Sequence, residues 1–330
     1  MKKNNSNLTK ARNDKNDEFY TQLEDIEKEL KYYRKHFRDK VVFCNCDDPY
    51  ESNFFKYFAL NFNKLGLKKL ISTCYNGCEE IPLFDDGNGI MRKALKAVIV
   101  IDELYDINED GAIDEDDVKL MLQKEGAVKK LNGNGSFDSK ECLELLKTAD
   151  IVCTNPPFSL FRKFVKTIMK YNKKFLIIGS KNAITYKEIF NYIKNNELWI
   201  GINNVHTFNT QNGGTKTFGN ICWYTNLTHP KRNEEIYLYK TYNTESYPKY
   251  DNYDAIEVSK VDEIPEDYDG VMGVPITFLD KYCPSQFEIV DINPHFFSMV
   301  EQGLPKPKQL TLHNVNKKDP YARIFIKKRV

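Results

Sequence analysis

The sequence lacks several features that would narrow its role quickly. No stretch approaches the ~18 consecutive apolar residues that cross a bilayer, and the first twenty residues are rich in Lys and Asn, without the apolar core of a secretory signal. Both absences lead to the expectation of a cytoplasmic protein with no membrane partner. Neither sign of charge dominates: 48 Lys and Arg stand against 47 Asp and Glu, a net charge of +1. A general polyanion-binding surface is thereby excluded, and any nucleic-acid face must be local. Cysteine is sparse, eight in 330 residues with no Cys-x-x-Cys, so a disulfide scaffold is not expected. Cys44, Cys46, Cys74 and Cys78 could gather as a four-thiolate zinc site, but buried free cysteines in strands are the commoner outcome. Finally, no Gly-x-Gly follows the first apolar strand segment, where nucleotide-binding α/β domains usually carry one.

What is present is an alternation of short apolar runs with amphipathic segments. Hydrophobic residues make up 41% and aromatics 13% of the chain, enough for a sizeable core. Residues 1–17 are polar and read as a disordered arm. Leu23, Ile26, Leu30, Tyr33 and Phe37 recur at helical spacing, and Phe54 to Leu65 forms a second apolar helix with Gly66 placed as its C-cap. Val41 to Cys44, Lys69 to Thr73, Ala97 to Ile101, Ile151 to Thr154 and Phe175 to Ile178 read as buried strands. Helices near 115–124, 142–149, 159–171 and 186–195 stand among them. Strands at 198–202 and 218–224 have no helix between them, so one antiparallel strand is expected at the end of a mostly parallel sheet. Beyond residue 231 the pattern breaks into short pieces rich in Tyr, Asp and Pro. The expected organisation is a catalytic α/β domain over 18–230 and a smaller accessory or target-recognition region over 231–330.

The most informative motif is Asn155-Pro156-Pro157-Phe158, directly after the strand Ile151 to Thr154 and before a helix. In a doubly wound sheet, ligands sit beyond the carboxyl ends of the strands. Two prolines fix φ and remove two backbone donors, leaving the Asn155 side chain and nearby carbonyls to act. Asn155 Oδ1 and the carbonyl of Pro156 can accept both N–H groups of an exocyclic amine, and Phe158 offers a face to a base extruded from a duplex. The simpler reading is a Pro-Pro loop with Asn155 as a helix N-cap; the acceptor-Pro-Pro-aromatic order immediately after an apolar strand favours chemistry.

These residues, with their surroundings, resemble a known family. Ala149 to Arg162, Lys174 to Glu188, Phe218 to Leu227, Asp17 to Gln22, Phe43 to Ser52 and Tyr268 to Asp280 together resemble the adenine-specific DNA methyltransferases of the EcoRI-methylase type, and the resemblance runs from about residue 17 almost to the C terminus. It implies a Rossmann-like methyltransferase fold, S-adenosylmethionine as cofactor and double-stranded DNA as substrate, with a cognate restriction enzyme as a partner in the same cell. It also implies cofactor contacts from Phe19, Tyr20 and Thr21, from Cys46, Asp47 and Asp48 at the exit of the first strand, from Ser136 and Phe137, and from Asn155. Ser136 stands where the family pattern has Asp. Amino methyltransferases acting on RNA, protein glutamine or cytosine N4 share the catalytic turn, and an inactive DNA- or calcium-binding module on the same fold is the alternative of another class.

Two further features complete the expectations. Residues 102–117 hold nine acids and no Lys or Arg, and within them Asp106, Asn108, Asp110, Ala112, Asp114 and Asp117 follow the spacing of a calcium-binding loop with Gly111 at its sixth position. A shorter Asp replaces the usual Glu at the twelfth position, so a structural calcium ion and an acidic solvated insertion over about 102–125 are both open readings. For DNA, Lys181, Asn182, Gln211, Asn212 and Lys216 are candidate contacts near the catalytic face. The segment 301–330 carries eight Lys and Arg against two acids, which suits phosphate contact or a solubilising tail.

Overall fold

The apolar runs become strands because each is bounded by turn-forming residues and can be covered on both faces. In this computed structural model, which describes residues 19–47, 52–73, 82–85, 91–93, 97–123, 128–131, 135–210, 214–293, 297–304, 310, 312 and 322–329, the strands are β1 (Phe19–Thr21), β2 (Val41–Cys44), β3 (Lys69–Thr73), β4 (Pro82–Asp85), β5 (Met91–Lys93), β6 (Ala97–Ile101), β7 (Val128–Lys130), β8 (Ile151–Thr154), β9 (Lys174–Ser180), β10 (Trp199–Thr210), β11 (Thr215–Thr225), β12 (Ile256–Glu257), β13 (Met272–Pro275), β14 (Phe287–Ile292) and β15 (Arg323–Lys328). Nine of them form the main sheet in the order β1-β10-β11-β9-β8-β2-β3-β6-β7.

The middle of that sheet is parallel. β9, β8, β2 and β3 run together, with Val42 opposite both Ile151 and Leu70. The chain leaves β2 toward β3 on one side, and leaves β8 toward β9 on the other. The carboxyl ends of β2 and β8 are therefore the topological switch point, the crevice where open α/β sheets bind ligands. The α/β class stands as expected, but antiparallel pairing is more extensive than the one strand foreseen. β6 returns antiparallel to β3 and is followed by β7, while β11 lies antiparallel to β9 and β1 antiparallel to β10. The reason is local: between β3 and β6 the described residues hold only the β4–β5 hairpin and no crossover helix, which a parallel return requires.

Two expected helices are interrupted. Tyr33 leaves helical geometry (φ −112°), separating Leu23–Leu30 from Arg34–Phe37. Asn61 turns its side-chain amide onto the Tyr57 carbonyl at 2.9 Å, and Asn53–Leu60 ends there before Phe62–Leu65. Gly66 closes the second piece in the left-handed region (φ 64°), as its placement predicts.

The described residues divide into two compact units, one of Met1–Lys181 with Asn203–Leu227 and one of Asn182–Ile202 with Thr228–Val330. The second contains a four-stranded sheet in the order β12-β13-β15-β14. Its inner strand β15 corrects the reading of the basic C-terminal stretch as a free tail: Ile324, Phe325 and Ile326 are fully buried. Lys328 binds the Glu266 carbonyl and pairs with Asp269, and Arg329 donates to the Phe287 carbonyl. The same sheet carries an ion pair from half-buried Arg323 to buried Glu257 at 2.6 Å.

One close approach positions the site. Helix Phe161–Lys170 begins directly after the Asn-Pro-Pro-Phe turn and buries Phe161, Phe164, Val165 and Ile168. Phe161 reaches the sheet because β9 has no side chain at Gly179; a Cβ there would stand 2.4 Å from Phe161 Cε2. The Phe161 ring then meets Tyr224 of β11 at 4.9 Å. Gly179→Ala is accordingly expected to lower the unfolding free energy by about 1–3 kcal/mol, the usual cost of overpacking a core. Urea denaturation of the two proteins measures this, and equal midpoints would contradict it.

Candidate active site

The exit of β2 is built around a buried acid. Asp47 is 5% exposed, and its carboxylate accepts from the Ser52 hydroxyl at 2.6 Å and from the Thr154 hydroxyl. Its backbone is tied to β3 on both sides: the N–H donates to the Thr73 carbonyl (3.2 Å), and the carbonyl accepts from the Ser72 hydroxyl (2.7 Å). Ser52 also caps helix Asn53–Leu60 by accepting from the Phe54 N–H. Beside it, Asn53 donates its amide to the Thr21 carbonyl at 2.7 Å. Hydrogen bonds from the neighbouring residues Ser52 and Asn53 thus tie the N-terminal strand β1 and the β2 exit to one stretch of chain, and Asp47 carries the set on to the last residue of β8. The Asp47 charge and burial push the thiols of Cys44 and Cys153 well above their ordinary range, burial being the larger cause, so neither is a nucleophile here.

At the end of β8, Asn155 is half-buried and Pro156 buried. Pro157 (φ −55°, ψ 123°) leads into a short 3-10 turn over Phe158–Leu160, closed by the Leu160 N–H on the Pro157 carbonyl at 2.9 Å. The half-buried Phe158 ring meets Phe208 of β10 at 6.3 Å and 86°, and Phe208 meets Phe218 of β11 at 5.6 Å. Phe208 in turn stands opposite Thr21 in the β1–β10 register. Thr21 is 2% exposed, and its hydroxyl has no hydrogen-bond partner among the described residues.

The turn at 135–138 reaches the same edge of the sheet. Cys142, just beyond it, lies 3.6 Å from the Gly135 carbonyl and 3.9 Å from the Thr73 hydroxyl. Phe137 is buried with its ring edge-on to Phe164 at 5.1 Å, and Ser136 donates to Asp138. Asp138, which sequence reasoning passed over, also receives the Lys163 ammonium. The Lys163 hydrogen bond, then that of Ser136, holds its carboxyl below the usual range. Thr21, Cys46, Asp47, Ser136, Phe137 and the 155–158 turn are therefore linked around one edge. The side chains of Phe19 and Tyr20, and Asp48 altogether, lie outside the described residues.

A family model described as "Adenine-specific methyltransferase EcoRI" matches residues 7–329. The chain belongs to this family. It is similar to the Type II methyltransferase M.EcoRI of Escherichia coli, 44% identical with 98% of this chain and 97% of that protein covered. It is also similar to M.MgeORF184P of Mycoplasma genitalium and M.MpnI of Mycoplasma pneumoniae, each 38% identical with 98% of both chains covered. No solved structure matches. Family membership makes this protein a DNA methyltransferase of the adenine-specific class.

The remaining candidate residues of this EcoRI-type methyltransferase lie in other parts of the chain. The acidic loop over Asp106–Asp117 is held by its own side chains. Asp106 accepts from the N–H groups of Asp110 and Gly111, Asn108 from Asp110, Asp110 from Ala112, and Asp114 from Asp116. Asp117 is buried and accepts from Asp114, Ile107 and Asn108, which holds its carboxyl low. The loop's oxygens face its own backbone donors, and no three His, Cys, Asp or Glu side chains gather as a metal site among the described residues. The thiols of Cys44 and Cys46 join no such group; Cys74 and Cys78 lie outside the described residues. Of the DNA candidates, Lys181 is half-buried and Asn182 exposed at the start of a 3-10 turn, and Lys216 is exposed with its ammonium 5.3 Å from the Phe218 ring centre. Gln211 and Asn212 lie outside the described residues.

The depressed Asp138 carboxyl gives a signed pH dependence. Its folded-state pKa lies below the unfolded value, so its stabilisation is complete above the ordinary carboxylate range and disappears as pH falls through the folded value. The stability difference between wild type and Asp138→Asn is expected to be largest at neutral pH and to close below about pH 4. Urea midpoints at the two conditions measure it; a gap that persists in acid would contradict the assignment.

Proposed function

We propose that the protein transfers the methyl group of S-adenosylmethionine to the N6 amino group of an adenine extruded from double-stranded DNA, with the Asn155–Phe158 turn as the catalytic element. The observation that carries this reading is the position of that turn at the carboxyl end of β8, beside the switch point of the sheet and hydrogen-bonded through Thr154 into the β2 exit. The relatives are named Type II methyltransferases, which supports a role in restriction-modification beside a cognate restriction enzyme. The C-terminal region over 231–330 is the part of the chain left to read the DNA sequence, and Lys181 and Lys216, both in the first compact unit, are candidate phosphate contacts.

The residues present fit the methyl donor. Thr21 supplies a buried hydroxyl with no other hydrogen-bond partner among the described residues, next to the Asp47 exit in the hydrogen-bonded series. A polar group in that state costs stability unless something accepts or donates to it. Thr21, Cys46 and the Ser136–Asp138 turn would hold the donor, with strand Phe19–Thr21 contributing to the same site. S-adenosylmethionine supplies a methyl group on a positively charged sulfur, an electrophile that needs no activation by the protein.

The protein's own work is to prepare the amine. An adenine amino nitrogen is a weak nucleophile because its lone pair is delocalised into the ring. Asn155 Oδ1 and the Pro156 carbonyl accept its two N–H groups and favour a more pyramidal nitrogen. The two prolines keep these acceptors from turning away, since their φ values are fixed. Phe158 stacks on the base and replaces part of the stacking lost from the duplex. Orientation of this kind is worth up to ~7–11 kcal/mol when the reacting atoms are aligned. After transfer the cationic amine releases its proton to solvent, so no general base is required in the turn.

Asn155→Ala is expected to abolish methyl transfer, lowering the single-turnover rate by at least about a thousandfold, while calorimetry shows S-adenosylmethionine binding within about twofold of wild type. Near-wild-type turnover by this variant would remove the mechanism.

A further inference from the structure

The Asn-Pro-Pro turn has an anchoring problem of its own making. Pro156 and Pro157 lack N–H groups, so neither can be tied down by a backbone donor. On the far side the turn is closed by the Leu160 N–H on the Pro157 carbonyl. On the near side Thr154, the last residue of β8, stands opposite Ile177 of β9, and its fully buried side chain adds a hydroxyl donated to Asp47.

Asp47 is held unusually firmly. Both carboxylate oxygens take hydroxyl hydrogens, Oδ1 from Ser52 and Oδ2 from Thr154, and both backbone polar groups are bonded to β3. Only 5% of the residue is exposed, which leaves little surface for a ligand's ammonium group. An acid at the exit of the first strand would ordinarily be assigned to the methyl donor; here its geometry faces the catalytic strand.

We propose that Asp47 is a positioning residue for methyl transfer, fixing Asn155 through Thr154, and not a ligand of the methyl donor. The inference rests on the proposed role of Asn155. It makes Thr154 the joint: its hydroxyl sets the rotation of the chain just before Asn155, where the following prolines permit no later correction. As a carboxylate, Asp47 accepts from both hydroxyls, and hydrogen bonds to a charged acceptor are the stronger kind.

The test compares Thr154→Val, Thr154→Ser and Asp47→Asn with wild type. The single-turnover rate is measured with labelled S-adenosylmethionine on DNA free of adenine methylation, and donor affinity is measured by calorimetry on the protein alone. Thr154→Val and Asp47→Asn are expected to slow transfer by about ten- to a hundredfold, the worth of one hydrogen bond to a charged group, with donor affinity within about twofold of wild type. Thr154→Ser, which keeps the donor, is expected to restore most of the rate. Should Thr154→Val fail to fold, Thr154→Cys, of similar volume and weak donor strength, is read by the same two numbers. Wild-type rate in the Val variant would overturn the proposal, as would a rate loss in Asp47→Asn matched by an equal loss of donor affinity. Failure of the wild-type enzyme to label adenine would instead overturn the function on which the proposal rests.

Discussion

The arrangement of this site depends on where two parallel strands part company. β2 and β8 lie side by side, and the chain leaves them in opposite directions, β2 toward β3 and β8 toward β9. Connections that diverge leave the strand ends uncovered by either crossover. The residues at those two ends, Asp47 and Thr154, are then close enough to bond although 107 positions separate them in the chain. The N-terminal strand β1, the helix capped by Ser52 and the 135–138 turn all assemble around that junction.

A buried carboxylate in this place has a physical logic. Most nucleotide-binding α/β domains use glycines at the first strand's exit so that backbone can approach a ligand. Without them, the exit here is held by hydroxyls and one acid. Ser52, Ser72 and Thr154 are each at most 2% exposed, and each has a bonded partner in the Asp47 turn. An unsatisfied member of such a set would be costly in a low-dielectric interior, so the set favours a single geometry. Rigidity at the strand ends is what a reaction governed by orientation requires.

Much of this was legible in the sequence because the parallel strands are buried on both faces. Val41–Cys44, Lys69–Thr73 and Ile151–Thr154 announce themselves as apolar runs, and the Asn155–Phe158 turn is marked by its two prolines. The second sheet was not legible in the same way. β14 alternates buried Phe287 and Ile289 with the more exposed Glu288, a weak signal over six residues, and the apolar centre of β15 is masked by the cations flanking it. Asp138 was hidden for another reason: its meaning comes from Lys163, 25 residues later on the helix after the turn. The acidic loop shows a further limit of spacing alone: its pattern is plain in the sequence, but the bonds from its side chains to the loop's own N–H groups are not.

Family membership makes the protein an adenine-specific DNA methyltransferase, and the role proposed for the Asn155 turn puts the methyl group on the exocyclic nitrogen. The most direct measurement is enzymatic digestion to nucleosides of DNA from cells expressing this protein, followed by mass spectrometry against cells expressing the Asn155→Ala variant. Expected is N6-methyladenine that depends on an intact Asn155. N4-methylcytosine in its place, or N6-methyladenine at equal levels with both proteins, would contradict the catalytic assignment.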